Sequence, residues 1–164
     1  MVERRSGVLL LQLGTPDSTS VRDVRRFLRE FLSDPRVLDL PRFARSVLLN
    51  LVILPSRPRR SARAYRKIWL PEGSPLMIES GALARGLQTE LGDRYRVALG
   101  MRYRLPTIAS AVEELMGADC GHIVVVPLFP QYSSAASGSA VERALEIIGG
   151  LTSVPTVATV GPFY

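Results

Sequence analysis

The order of elements in this sequence predicts an α/β fold: an open, parallel, four-stranded sheet flanked by helices, with a long helical insertion after the first strand. Three observations predict it. Short apolar runs recur at residues 7–13, 95–101, 122–126 and 156–160, each long enough for a strand and too short for a helix. Segments with apolar residues at spacings of three and four lie between them. Strands that alternate with helices argue for βαβ units and hence for parallel pairing. Roughly 80 residues separate the first run from the second, far beyond an ordinary crossover, so residues 16–92 read as an insertion.

Residues 7–13 form the first strand, ended by Gly14-Thr15-Pro16-Asp17-Ser18. Thr15, Asp17 or Ser18 is expected to cap the next helix, 21–32. Its apolar residues Val21, Val24, Phe27, Leu28, Phe31 and Leu32 make one stripe, and Asp34-Pro35 breaks it. Residues 38–54, from Leu38 to Leu54, are strongly apolar. Arg36, Arg42 and Arg45 flank their early part, and Arg57, Arg59 and Arg60 follow Pro55. This stretch reads either as a buried helix or as an amphipathic, basic-flanked lip lying on a membrane surface. Residues 61–69 are expected to be a helix containing Tyr65, and 71–75 a loop. Residues 77–91 read as a helix with Leu83, Leu87 and Leu91 on one face. Helices are expected again over 108–116 and 141–148.

The third strand runs into Pro127-Leu128-Phe129-Pro130, where two prolines take the chain out of the sheet. In an open α/β sheet, ligands bind outside the carboxyl ends of the strands. Gln131, Tyr132 and Ser133 stand at such an end, and so do Arg102 and Tyr103 after the second strand. A guanidinium there suits a carboxylate, and a tyrosine can lay its ring on an apolar ligand while its hydroxyl stays polar. The plain alternative for Arg102 is an ion pair.

The 164 residues suit one ordinary domain, and 46% apolar with 22% charged content is globular rather than disordered. The net charge of +6 is carried almost wholly by arginine, Lys67 being the only lysine. With no nucleic-acid module in view, a membrane surface or a polycarboxylate ligand ranks above nucleic acid as a partner. Cys120 is the only cysteine, so no disulfide forms within the chain, as suits a reducing cytosol. No segment reaches the roughly 20 apolar residues of a membrane span. No Cys/His or paired-carboxylate spacing suggests a metal site. His122, the only histidine, precedes the third strand and reads as a strand-entry residue at the amino end of the sheet. Leu13-Gly14-Thr15-Pro16 lacks a G-x-G-x-x-G fingerprint and there is no P-loop, which ranks nucleotide binding last.

The segment PLFPQYSSAASGS, residues 127–139, is similar to the PLYPQYS-x-x-T-x-GS segment of ferrochelatases, the enzymes that insert iron(II) into a porphyrin. Five more words follow that family's order: LLLQLGTPDS (9–18), FLREFLSDPRV (27–37), AYRKIW (64–69), GSPLM (73–77) and ALGMRY (98–103). The likeness is greatest to the bacterial protoporphyrin type and covers the first half of such an enzyme.

The resemblance implies a Rossmann-like, chelatase-type domain over residues 1–164, the N-terminal one of two similar domains, so that the chain reads as a fragment or truncated product. It implies a lyase that takes iron(II) and protoporphyrin IX and releases two protons to give haem. Iron is then a substrate, and no cofactor is permanently bound. No iron–sulfur cluster is expected, because one cysteine cannot supply the usual four ligands.

The family's porphyrin-facing position on the first strand falls on Leu13, which cannot ligate a metal; the plain reading is a core leucine. Tyr65 and Ser74 fall on site-lining positions, Ser74 bonding a propionate; without the resemblance they are a half-buried helix aromatic and a turn residue. Arg36 is a further propionate candidate, and Arg102, Tyr103, Gln131, Tyr132 and Ser133 complete the implied substrate site. The family's essential histidine and its acidic partner belong to the second half, so no catalytic residue is expected here. The family's apolar lip corresponds to residues 38–54, implying a cytoplasmic protein in peripheral contact with the inner membrane surface. The alternatives are a half-size tetrapyrrole chelatase that homodimerises, or an inactive porphyrin-binding or membrane-docking module. Small cobalt chelatases of the former kind carry a histidine at a strand's carboxyl end, and this sequence has none there.

Overall fold

The computed structural model describes residues 5–163. Four strands, β1 (Arg5–Gln12), β2 (Tyr95–Met101), β3 (Cys120–Pro127) and β4 (Thr156–Thr159), pair in parallel in the order β2-β1-β3-β4. The expected open parallel sheet is therefore present. β1 is central, with Leu9 opposite Ala98 on one side and Val125 on the other. A strand buried on both faces must be apolar throughout, and this is why Val8 to Leu11 shows no alternation.

Its side chains nevertheless divide by face. Leu9 and Leu11 pack on Ile108, Val112 and Leu115 of α5 (Ile108–Gly117) and on Ala140, Ala144 and Ile148 of α6 (Ser139–Gly149). Val8 and Leu10 pack towards α4 (Pro75–Leu91), through Ala84, Leu87 and Leu91. Leu83, expected on that face, points to solvent instead.

Besides α4, the insertion holds α1 (Val21–Ser33) and one long helical stretch in three parts: α2 (Arg42–Val47), a π-helical segment (Leu48–Ile53) and α3 (Leu54–Ile68). These helices form their own cluster, in which Val24, Phe27, Leu28, Leu49, Leu54 and Ala62 are buried with Tyr103.

Several sequence expectations change here. The cap of α1 is Ser20, whose hydroxyl accepts the Asp23 N–H at 3.1 Å. Ser18 instead donates to the Asp23 carboxylate at 2.6 Å. The helix also passes through Pro55 and Pro58 without ending. A proline ring removes one donor and collides with the carbonyl four residues back. The wider turn just before Pro55, where the Leu54 N–H bonds back to Leu49 O, makes room for it, and such π-bulges are frequent at functional sites. Finally, Leu13 lies one residue beyond β1 and packs against the insertion's cluster.

The helical part of residues 38–54, from Arg42 on, has one buried and one exposed apolar face. Leu49 and Leu54 are buried. Phe43, Leu51 and Val52 are 82%, 72% and 58% exposed. No helix among the described residues is long and apolar enough to cross a membrane.

Candidate functional site

In the order β2-β1-β3-β4 the chain turns one way from β1 and then crosses back, so the switch point lies between β1 and β3. Ligands in such folds sit outside the carboxyl ends there. Three segments converge at this end. The Arg102 N–H donates to Gln12 O at 2.8 Å, the Tyr103 N–H to Leu13 O at 3.0 Å, and the Leu128 N–H to Leu11 O at 2.8 Å. Extending the sheet by these bonds fixes the backbone from which the candidate side chains project.

At the centre stands a residue that sequence reasoning treated only as a helix breaker. Asp34 caps the carboxyl end of α1, and its side chain is 3% exposed. Its Oδ2 accepts from Arg102 Nη2 at 2.7 Å, from the Tyr103 hydroxyl at 2.8 Å and from the Ser139 hydroxyl. Its Oδ1 accepts the Arg36 N–H at 2.8 Å. Arg102 Nε also donates to Ser139 Oγ at 2.6 Å, and its guanidinium lies 4.7 Å from the Tyr103 ring centre. Burial alone would push the Asp34 carboxyl up. The Ser139 hydroxyl, the Arg36 N–H, the Tyr103 hydroxyl and the Arg102 charge together outweigh burial and hold it below the ordinary carboxylate value. Burial pushes the Tyr103 phenol up to about 12, and the Asp34 carboxylate adds to that.

One expectation about this rim is corrected by that geometry: Tyr103 is interior, its ring edge-on to Phe31 at 5.3 Å, rather than open to a ligand. Arg102, 21% exposed, makes the ion pair of the plain alternative, with its inner edge engaged by Asp34 and Ser139. Asp34 and Ser139 were the residues to find. The available signal was that FLREFLSDPRV, ALGMRY and PLFPQYSSAASGS each contribute a member to one cluster.

The other candidates distribute around the same end. Arg36 donates to Glu142 at 2.6 Å and to Ser134 at 3.0 Å. With Tyr132 it borders a mostly apolar cavity of about 420 Å³ floored by Pro127, Phe129, Val141 and Leu145. Tyr132 is exposed, and so are Gln131 and Ser133, whose backbone carbonyls accept from the Ser137 hydroxyl and the Gly138 N–H respectively. Ser74 is buried and donates to Thr15 Oγ1 at 2.9 Å. It borders a separate recess of about 200 Å³ beside Trp69. Tyr65 is half-buried and meets Phe27 and Trp69 edge-on at 6.4 and 6.1 Å, and burial pushes its phenol up. Arg102 opens on a third recess of about 310 Å³ between α5 and α6. The candidates thus share one end of the sheet but not one cavity.

His122 is paired with Ser6 and Thr156 at the amino end of the sheet, away from all of these. Among the described residues no group of three or more His, Cys, Asp or Glu could hold a metal ion. What the arrangement offers is apolar walls and directed hydrogen-bond donors at the carboxyl ends of parallel strands. Those features define an α/β domain whose candidate ligand surface lies at the carboxyl ends of its strands.

The family model described as "Ferrochelatase" matches residues 5–164. A ferrochelatase of Legionella pneumophila (strain Paris) is 48% identical over 160 residues, covering 98% of this chain and 48% of that protein. One from Coxiella burnetii (strain RSA 493 / Nine Mile phase I) is 54% identical over 137 residues, covering 84% of this chain and 39% of that protein. The chain belongs to the ferrochelatase family, and it spans about half the length of the curated relatives it matches.

Proposed function

We propose that this chain forms one wall of the porphyrin cleft of a haem-synthesis lyase that inserts iron(II) into protoporphyrin IX. The observation that carries the reading is the convergence of three family-like segments on one buried cluster at the sheet's carboxyl end. The apolar cavity beside it supplies contact area for a flat macrocycle, and Arg36, Ser74 and Arg102 stand nearby as hydrogen-bond donors for its propionates. Tyr65, Leu13 and Tyr103 back that wall from the insertion's cluster. Gln131, Tyr132 and Ser133 form its outer rim. No histidine stands at this end among the described residues, so the proton acceptor and the iron-delivering group are assigned to a second, C-terminal domain. The parent enzyme is then cytoplasmic.

Titrating the chain with protoporphyrin IX tests the reading. Saturable quenching of porphyrin fluorescence at one site per chain is expected, and no saturable change would refute it. Iron insertion by the chain alone is expected to stay at the protein-free rate. Turnover clearly above that control would favour a half-size, homodimerising chelatase.

The exposed ridge Phe43, Leu51 and Val52, with Arg42, Arg57, Arg59 and Arg60 alongside, is proposed to rest on an anionic membrane surface. Burying one apolar side chain is worth on the order of 1.5–3 kcal/mol. Changing all three to Ser is therefore expected to weaken liposome binding at least about tenfold. Because these side chains face solvent, circular dichroism should show an unchanged fold. Unfolding of the triple variant would mean that the ridge is core, and undiminished flotation would remove it as a membrane contact.

A further inference from the structure

The chain carries a net charge of +6, yet the cations at the carboxyl end of the sheet come in neutralised sets. Arg102 pairs with Asp34, Arg36 with Glu142, and Arg104 with both Asp17 and Glu30. The surplus lies on the insertion, where Arg42, Arg57, Arg59 and Arg60 have no ion-pair partner among the described residues.

Of the neutralised sets, the Arg102–Asp34 pair is the one enclosed by structure. Its guanidinium is held on two edges: Nη2 by Asp34 and Nε by Ser139. Its flat face lies over the Tyr103 ring. Only Nη1 has no protein partner among the described residues. Asp34 is in turn fixed by three further donors, from Tyr103, Ser139 and the Arg36 backbone. Neither ion can turn to follow a ligand without breaking bonds that bury polar atoms, which is costly.

We infer that Asp34 is a specificity-determining positioning residue: it clamps Arg102 by its inner edge and offsets its charge, so that the site meets its ligand with the fixed N–H groups of Nη1 instead of an unpaired cation. This rests on the porphyrin-cleft reading, and it names how that cleft selects its ligand. Shape and apolar contact hold the macrocycle, and Arg102 orients one edge without drawing every carboxylate in reach. A long-range anion trap would hold small carboxylates and phosphates as well, whereas a charge-paired clamp that presents only fixed N–H donors does not.

The test compares the affinity of the chain for protoporphyrin IX with that for its dimethyl ester, measured by fluorescence titration. The ester lacks both carboxylate charges and adds two methyl groups, and that difference is the same for every variant compared. The ratio of the two affinities is unmoved by partial unfolding, which removes binding sites for both equally. Asp34→Asn leaves the Arg102 charge uncancelled and is expected to raise the acid-to-ester ratio about tenfold, the scale of one unit charge at intermediate range in a partly solvated site. Asp34→Glu keeps the charge and should stay within about threefold of wild type on the same scale.

The variant carrying both Asp34→Asn and Arg102→Gln has no buried ion to strand, and it keeps the inference testable where Asp34→Asn alone folds poorly. Its ratio should also match wild type within about threefold. An unchanged ratio in Asp34→Asn overturns the inference and leaves the cleft reading standing. So does a tenfold fall in the double variant, since Arg102 would then be the charge that recognises the acid. Failure of the wild-type chain to bind either porphyrin takes the cleft reading and this inference down together.

Discussion

Replacing Gly14 by alanine is expected to abolish the cooperative thermal transition of this chain or lower its midpoint by about 10 °C or more. Gly14 lies two residues beyond β1 and has φ +106°, a conformation that L side chains rarely adopt. A Cβ placed there would stand 1.9 Å from the carbonyl oxygen of Tyr103 and 3.0 Å from its carbonyl carbon. Both are backbone atoms, so no side chain can swing aside. Relief requires the two segments to part, which breaks the bond from the Tyr103 N–H to Leu13 O and pulls Tyr103 from its buried place beside Phe31. Left-handed backbone costs about 1–2 kcal/mol, the hydrogen bond about 1 kcal/mol, and disturbing a buried aromatic more. The total, several kcal/mol, is comparable with the lower end of domain stability.

Gly86→Ala is the control. Gly86 lies within α4, exposed, and a methyl group added there would meet nothing within 4 Å, so the change should stabilise by about 0.5–1 kcal/mol. A Gly14→Ala protein melting within a few degrees of wild type would show that the two segments can part at this crossing without loss.

The same crossing shows how far the sequence could be read. Residues 95–101 were legible to the residue because a strand in a parallel sheet is apolar and bounded by turn residues. β1 and β3 were legible for the same reason, and α1 for its stripe of three-and-four spacings. The continuity of residues 42–68 was not legible. A proline is the strongest local signal for a helix end, and the π-turn that accommodates Pro55 leaves no mark in the apolar pattern. Leu83, Leu87 and Leu91 show the limit of spacing alone, since only the last two reach the sheet.

For the site, the rule that ligands gather at the carboxyl ends of parallel strands brought Arg102, Tyr103 and residues 131–133 to the right end. It carried no information on what each side chain touches. The partner of Arg102 lies 68 residues away in sequence and that of Ser139 lies 105 away. Asp34 looked like a helix stop because that is its local role. Its remote role, receiving three side-chain donors, exists only once α1, β2 and α6 have packed.

Arg102→Leu is therefore expected to act on stability as well as on binding. Leucine would leave the Asp34 carboxylate, 3% exposed, without its counter-ion. It would also take one hydrogen bond from Ser139. Removing one partner of a buried ion pair costs about 3–5 kcal/mol; with Arg102 itself partly exposed, about 2–4 kcal/mol is the expectation. In a chain of this size that is a fall in melting temperature of roughly 5–15 °C. Arg102→Lys should recover part of it, since an ammonium restores the charge but not the two-edged fork.

The pH dependence separates this cause from a packing defect. In the wild type, Asp34 is held below its ordinary value. Its contribution is then fully present above the unfolded-state value near 3.8 and is lost as pH falls through the lower folded value. In Arg102→Leu the Ser139, Arg36 N–H and Tyr103 hydrogen bonds remain and only the smaller effect of the guanidinium charge is lost, so the Asp34 value rises and the carboxyl takes up its proton at higher pH. The stability gap between the two proteins should accordingly be widest near neutrality and narrow as pH falls through the carboxylate range. Urea unfolding at pH 7 and again near pH 4 measures both gaps. Equal gaps at the two pH values would assign the loss to packing around the leucine. An Arg102→Leu protein as stable as wild type at pH 7 would show that the Arg102–Asp34 pair does not hold the cluster together.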